Sequence, residues 1–227
     1  METLPILIPI SFIATTLLAI WLFYRSSRNS KLVLIVLAVW LIIQLFIARA
    51  GFYLITDSMP PRFGLLVGPP LVAIILLFAT RKGREFLDRL DTSWLTILHI
   101  VRVPVELILF GLFAYHLVPR AMTFEGDNLD ILSGLSAPIV FFFGYKRKTM
   151  SRTLIIAWNV LCLGLLFNIV GHAILSLPTP FQRIAFEQPN RALLYFPFVW
   201  LPCCVVPLVL LSHLATLRKS VRWELTW

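Results

Sequence analysis

Arg102 and Glu106 are the residues of this sequence that most need a chemical reason. They stand four apart in HIVRVPVELILFGLFAYHLVP, the fourth long apolar run, with Glu106 near its middle. A charged side chain at mid-bilayer costs at least ~2.5–3.5 kcal/mol on insertion scales, so such a pair is kept either for packing or for work. Four residues is about 40° around a helix, so the two share a face, and a mutual ion pair would offset much of that cost. Pro104 between them frees a backbone carbonyl for a further partner. The pair therefore reads as a buried tie between helices, or as a coupling pair lining a cavity.

Other residues invite chemistry nearer the ends of the apolar runs. Arg49, in IARAGFYLI, is placed either to snorkel toward headgroups or to face a ligand across the small residues Ala48, Ala50 and Gly51. On a continuous helix Tyr53 falls on its face and would complete an anion-binding wall. His116 and His172 sit near matching ends of two runs, with Asn168 one turn below His172 and with Glu125 and Asp130 in the segment above. That grouping suits proton relay or a metal, but no HxxxH or HExxH spacing occurs and no metal is assigned. Haem ligation by the two histidines is chemically feasible and has no motif behind it, so the cofactor stays unknown. His99 and His213 read as packing residues. Ser133 and Ser136 have no base partner and no GxSxG around them. In VPRAMTFEGDNLD (118–130), Asp127 and Asp130 fit helix N-capping with a first-turn acid. Arg120, Thr123, Glu125 and Asn128 are left without a structural task.

The elements that must hold these groups are membrane helices. Of the 227 residues 59% are hydrophobic and only 14% charged, and mean hydropathy is +0.88. Soluble domains carry nearer 25% charged residues. Apolar runs at about 4–24, 32–55, 63–80, 94–118, 130–145, 152–175 and 193–217 predict a single transmembrane domain over 1–227, an all-α bundle of seven transmembrane helices. METLPILIPI lacks a basic leader region and reads as the first span rather than a cleaved signal. The linkers RSSRNSK, RKGREFLDRLD, YKRKTMSR and LRKSVRW hold fourteen of the twenty Lys and Arg. The opposite loops hold Arg62, Arg120, Arg183 and Arg191 with six acids, Glu2, Asp57, Glu125, Asp127, Asp130 and Glu187. The positive-inside rule then puts the N-terminus outside and the C-terminus in the cytoplasm. The net charge of +9 is thereby explained by topology and calls for no nucleic acid. Cys162, Cys203 and Cys204 lie in apolar runs and offer neither a disulfide framework nor metal spacing. In the last outer loop, SLPTPFQRIAFEQPNR, the run Thr179–Pro180–Phe181–Gln182 predicts a capping box and a short amphipathic helix that lids or anchors the bundle.

The two halves echo one another. Pro70 stands eleven residues before Arg81 and Pro207 eleven before Arg218, and Tyr24–Arg25 matches Tyr145–Lys146. This suggests parallel three-helix repeats joined by an inverting fourth span. The 3+1+3 layout with the N-terminus outside is similar to that of the SWEET sugar carriers, in topology only, with no residue to carry over. Microbial rhodopsins share the span count, but no lysine lies within a span to hold retinal. The leading expectation is a small-solute transporter or permease of a bacterial-type inner or other plasma membrane, proton-linked through Arg102–Glu106 and the histidines. Its partners would be the lipid bilayer and a small polar or anionic solute held near Arg49. The alternatives are a membrane-embedded enzyme using His116, His172, Glu125 and Asp130, and a non-catalytic subunit or scaffold of a membrane complex.

Overall fold

A computed structural model describes residues 4–222, all helical with connecting turns and no strand among them. Glu2 of the outer acids and Trp223 of the last basic linker lie outside the described residues. In chain order the helices are α1 (Leu7–Ser26), α2 (Lys31–Arg49), α3 (Gly64–Ala79), α4 (Arg81–Arg89), α5 (Thr92–Leu98), α6 (Arg102–Ala114), α7 (Ile131–Val140), α8 (Arg152–Leu175) and α9 (Val206–Val221). A 3₁₀ turn at His99–Val101 joins α5 to α6, and π-helical segments extend α7 through Phe141–Lys146 and precede α9 at Leu201–Val205.

Five stretches among the described residues are long and apolar enough to cross a membrane: Leu7–Ser26, Lys31–Arg49, Thr92–Ala114, Arg152–Leu175 and Leu201–Val221. They overlap the first, second, fourth, sixth and seventh expected runs, the last of them starting at Leu201 and not at 193 and ending at Val221 and not at 217. The third expected run, 63–80, is shorter than a full span, and it passes the same test only together with α4, from which it is bent by 93°. The bend has a local cause. Thr80 is extended and caps α4 by accepting from the Gly83 amide, while Arg84 donates to the terminal carbonyls of Phe78 and Ala79. A Cβ on Gly83 would meet the Leu77 backbone at 2.5 Å, so only glycine lets α4 fold back this closely. The fifth run is the apolar helix Ile131–Lys146, shorter than the others.

The helix Leu201–Val221 is the hub, with 72% of its apolar window buried, against 17% for Lys31–Arg49 at the periphery. Large apolar side chains such as Val36, Ile43, Phe46, Ile75 and Leu161 point outward, as expected where lipid replaces water as the solvent. One end gathers the basic linkers. The Asp91 amide donates to Ser26 O, Arg218 grips Asp88 in a bidentate pair at 2.9 and 3.0 Å, Lys219 donates to Leu90 O, and Arg152 donates to Val221 O. The other end is tied by its loops. Gln188 donates to Phe113 O and Val118 O, Asn190 to Ala173 O, and the amides of Arg191 and Ala192 to Leu117 O.

Two local expectations are corrected. Residues 176–190 form turns rather than an amphipathic helix. Thr179 Oγ1 accepts from the Phe181 amide, two residues on, and the Gln182 side chain donates to Ile184 O and Ala185 O of its own loop instead of reaching back to a cap. Pro178, Pro180 and Pro189 withhold the amide donors a helix would need. α7 begins at Ile131, so Asp127 stands three residues ahead of the capping position and does not cap it. Asp130, expected in the first turn, occupies that position and makes no capping bond with its side chain. Asn128 Oδ1 accepts the Asp130 amide instead, and the Asp130 side chain turns into the bundle.

Candidate functional site

The span formed by α5, the 3₁₀ turn and α6 carries a polar stripe. Thr92, Thr96, His99, Arg102 and Glu106 follow one another at spacings of four, three, three and four, which keeps them on one face. All five are buried, none more than 3% exposed. In a medium that cannot satisfy polar groups, such a face must find partners inside the protein.

Arg102 finds them on three other segments. Its Nε lies 2.9 Å from Asp130 Oδ2 at the head of α7. Its Nη2 donates to Cys162 O of α8 at 3.2 Å, and its Nη1 is 3.3 Å from His213 Nε2 of α9. His213 Nδ1 sits 2.9 Å from Asn159 Oδ1, and its ring stacks on His99 with centroids 3.8 Å apart. Trp158 closes the aromatic cluster edge-on to His99 and donates to Ser136 Oγ at 2.9 Å. Toward the basic end, Thr96 and Thr92 of α5 lie beside Tyr145, and Thr216 and Ser220 of α9 are buried as well.

Glu106 does not pair with Arg102, contrary to the expectation from their spacing. Its Oε1 accepts from Asn128 Nδ2, and Asn128 is fixed in turn by donating to Met122 O at 3.1 Å. The countercharge of Arg102 is Asp130. The reason is reach. The 118–130 segment dips back into the bundle and delivers Asn128 and Asp130, 0% and 5% exposed, to two successive turns of α6. Gly134 makes the approach possible, because a Cβ there would come within 2.7 Å of Val103 Cγ2 and 2.9 Å of Val103 N.

Arg102, Glu106 and Asp130 line one side of a cavity of about 200 Å³ between α3, α6, α8 and α9. The rest of its wall is almost wholly apolar, with Val67, Val105, Leu166, Val170 and Val206 among its residues. Among the described residues, Glu106 Oε2 and Asp130 Oδ1 are buried without a hydrogen-bond partner, as are both ring nitrogens of His99. Buried acceptors in this condition require a donor, whether a proton, a water or a ligand group.

The remaining expected residues do not converge on this site or on one another. Arg49 is exposed with its guanidinium over the Phe196 ring, 5.2 Å from the centroid. Tyr53 is parted from it because α2 ends there and Gly51, at φ +73°, turns the chain. Its hydroxyl donates to Gln44 in the interior. The anion-binding wall is therefore not formed. His116 is exposed, with Nδ1 3.0 Å from Gln188 Oε1. His172 Nδ1 is 3.0 Å from Asn168 O, its Nε2 is 3.8 Å from Asp127 Oδ2, and Asn168 Nδ2 donates to Asp127 O. Glu125 is exposed and contributes its carbonyl to Arg120. The outward grouping of His116, His172, Glu125 and Asp130 is thus dispersed, Asp130 having gone to Arg102. No group of three or more His, Cys, Asp or Glu among the described residues could hold a metal ion. Sequence reasoning misses His99, Trp158, Asn159 and His213 as members of this site, and it gives Asn128 and Asp130 no place beside Arg102 and Glu106. Only the stripe spacing on α5–α6 could signal part of the set, by drawing in His99.

Comparison with known proteins adds a family and no activity. No curated protein and no solved structure matches the chain. Residues 60–219, which include α3 to the last turn of α9 and every residue around Arg102, match the family described as Domain of unknown function (DUF8737), and the chain belongs to that family.

Proposed function

We propose that this protein is a proton-linked permease for a small solute that bears a polar group, with Arg102, Asp130 and Glu106 as its binding and coupling site. The observation that carries the reading is the placement of that charged trio on a cavity within the apolar bundle, with two carboxylate oxygens left without partners. The polar stripe supports proton linkage. From Arg102 it runs through His213 and His99 to Thr96, Thr92 and Ser220 at the basic end, a set of groups able to pass protons by way of internal water. In this scheme Arg102, held on three sides, fixes the field at Asp130, while Glu106 exchanges a proton against solute.

The wider setting belongs to the same proposal. Seven crossings, counting α3 and the helix Ile131–Lys146, place the basic linkers together at one end and the acidic loops at the other, as the hydrogen bonds within each end favour. By the positive-inside rule the basic end is cytoplasmic, with the N-terminus outside, in a plasma membrane of bacterial inner-membrane type. A 3+1+3 repeat would relate α1–α3 to α7–α9 across the central span. The group of the solute that meets the trio is polar, and the anionic option is set aside because two carboxylates face one guanidinium.

The test is reconstitution in proteoliposomes with an entrapped pH indicator, challenged with panels of small amines, sugars and carboxylic acids. Wild type should move protons when one class of solute is added, and Glu106→Gln should abolish that movement while melting and elution as before. Equal proton movement in wild type and Glu106→Gln, or none with any class, would sink the reading.

A further inference from the structure

We infer that the cavity beside Glu106 and Asp130 takes an amphipathic amine that enters from the lipid phase. The inference rests on reading the cavity as a ligand site, but not on whether that ligand is transported. Three observations point to this class of ligand. The first is polarity. Arg102 Nη1 and Nη2 are turned to His213 and Cys162 O, and its Nε faces Asp130 Oδ2 in an ion pair at 2.9 Å without hydrogen-bond geometry, whereas Glu106 Oε2 and Asp130 Oδ1 are two acceptors at the cavity without any partner. A head group that donates N–H bonds meets both carboxylate oxygens, while the one guanidinium nitrogen without a hydrogen bond already faces Asp130. The second is charge. Two carboxylates against one guanidinium leave an excess negative charge when both are ionised, and an ammonium group neutralises it.

The third is the shape and position of the cavity. Beyond the trio its wall is aliphatic and aromatic, so the body of the ligand is apolar. Its rim carries Leu71 of α3 and Phe167 and Ile174 of α8, all of them exposed on the outside of the bundle. α3 and α8 share no extended packing on this side. An alkyl chain can therefore lie between them with its far end among lipid tails, while the ammonium group reaches the carboxylates. The occupant is held by charge-assisted hydrogen bonds at one end and by burial at the other.

The test uses the full chain in nanodiscs of neutral lipid and radiolabelled dodecylamine, read by scintillation proximity against empty nanodiscs. A saturable site is expected, displaced by unlabelled dodecylamine and not by dodecanoate. Glu106→Gln should weaken it about tenfold or more, the size of one charge-assisted hydrogen bond. Val170→Trp, which fills the apolar wall, should weaken dodecylamine without removing the carboxylates. Displacement by dodecanoate as good as by dodecylamine would overturn the charge assignment. Displacement by ethylamine as strong as by dodecylamine would overturn entry from the lipid. Absence of a saturable site would overturn the whole inference. Dodecylamine binding without proton movement in proteoliposomes would leave this inference standing and remove the permease reading. Proton movement driven by a short solute, with no dodecylamine site, would do the reverse.

Discussion

Arg102 shows how a buried charge is made tolerable, and how much is lost when one partner goes. It is 3% exposed, and its countercharge is Asp130 at 2.9 Å. Removing one member of a buried pair leaves an uncompensated charge and costs about 3–5 kcal/mol, whereas replacing both by apolar residues of similar volume is often neutral. Asp130→Ala should therefore lower the melting temperature of the purified protein sharply, and the double variant Arg102→Met, Asp130→Leu should recover most of the loss. A double variant as unstable as the single one would show that Asp130 acts through something other than the charge. Arg102 and Glu106 are legible in the sequence because charge is rare in an apolar run. Their partners are not. Asp130 lies in a polar segment where a place in the first turn of a helix explains it equally well, Asn128 beside it carries no signal, and nothing local says that the segment folds inward. His213 likewise reads as a packing residue until α9 is set beside α5 and α8.

At the scale of elements, hydropathy locates the runs well, because the bilayer demands length and apolarity that few other segments have. The boundaries it misses are set by single residues. Gly51 stops α2 and sends Tyr53 inward, and Thr80 with Gly83 folds α4 back from α3. Gly134 is the equivalent at the crossing of α6 and α7. Gly134→Leu should push α7 from Val103, break the Arg102–Asp130 contact and destabilise the protein, while Gly164→Leu, on an open face of α8, should leave melting nearly unchanged. Similar losses in both would remove the close approach as the explanation. The clasp between α4 and α9 gives a pH dependence. The hydrogen bonds from Arg218 hold the Asp88 carboxyl below its usual range, against the opposing effect of burial. A depressed folded-state pKa means that the clasp stabilises fully above the ordinary carboxylate range and is lost as pH falls through the lowered value. Melting temperature followed downward from neutral pH should show a loss at the acid end that Asp88→Asn flattens, the variant being less stable at neutral pH.

For the whole molecule, the arrangement of the ends of the short helix Ile131–Lys146 makes its crossing of the membrane measurable. Before it, Asp127 is tied to Asn168 near the end of α8. After it, Lys146–Arg152 leads into the other end of α8, where Arg152 donates to Val221 O. Arg152 and Asn168 are sixteen residues apart, about 24 Å along α8 at 1.5 Å per residue, so the two ends of the short helix lie far apart along a helix long and apolar enough to cross. A thinner local bilayer, or flanking cations that snorkel, lets the short segment span as well. Lys146 and Arg147, whose cations lie over Phe141 and Phe142, are suited to that role. The natural cysteines Cys162, Cys203 and Cys204 are all buried, so a single added cysteine can report its side with a membrane-impermeant maleimide on intact cells. Glu125→Cys and Arg183→Cys should label from outside, whereas Ser27→Cys and Lys148→Cys should label only after the membrane is opened. If Glu125→Cys and Lys148→Cys label from the same side, the short helix is re-entrant and the seven-crossing arrangement falls, and with it the exchange of protons across a site that α7 helps to build.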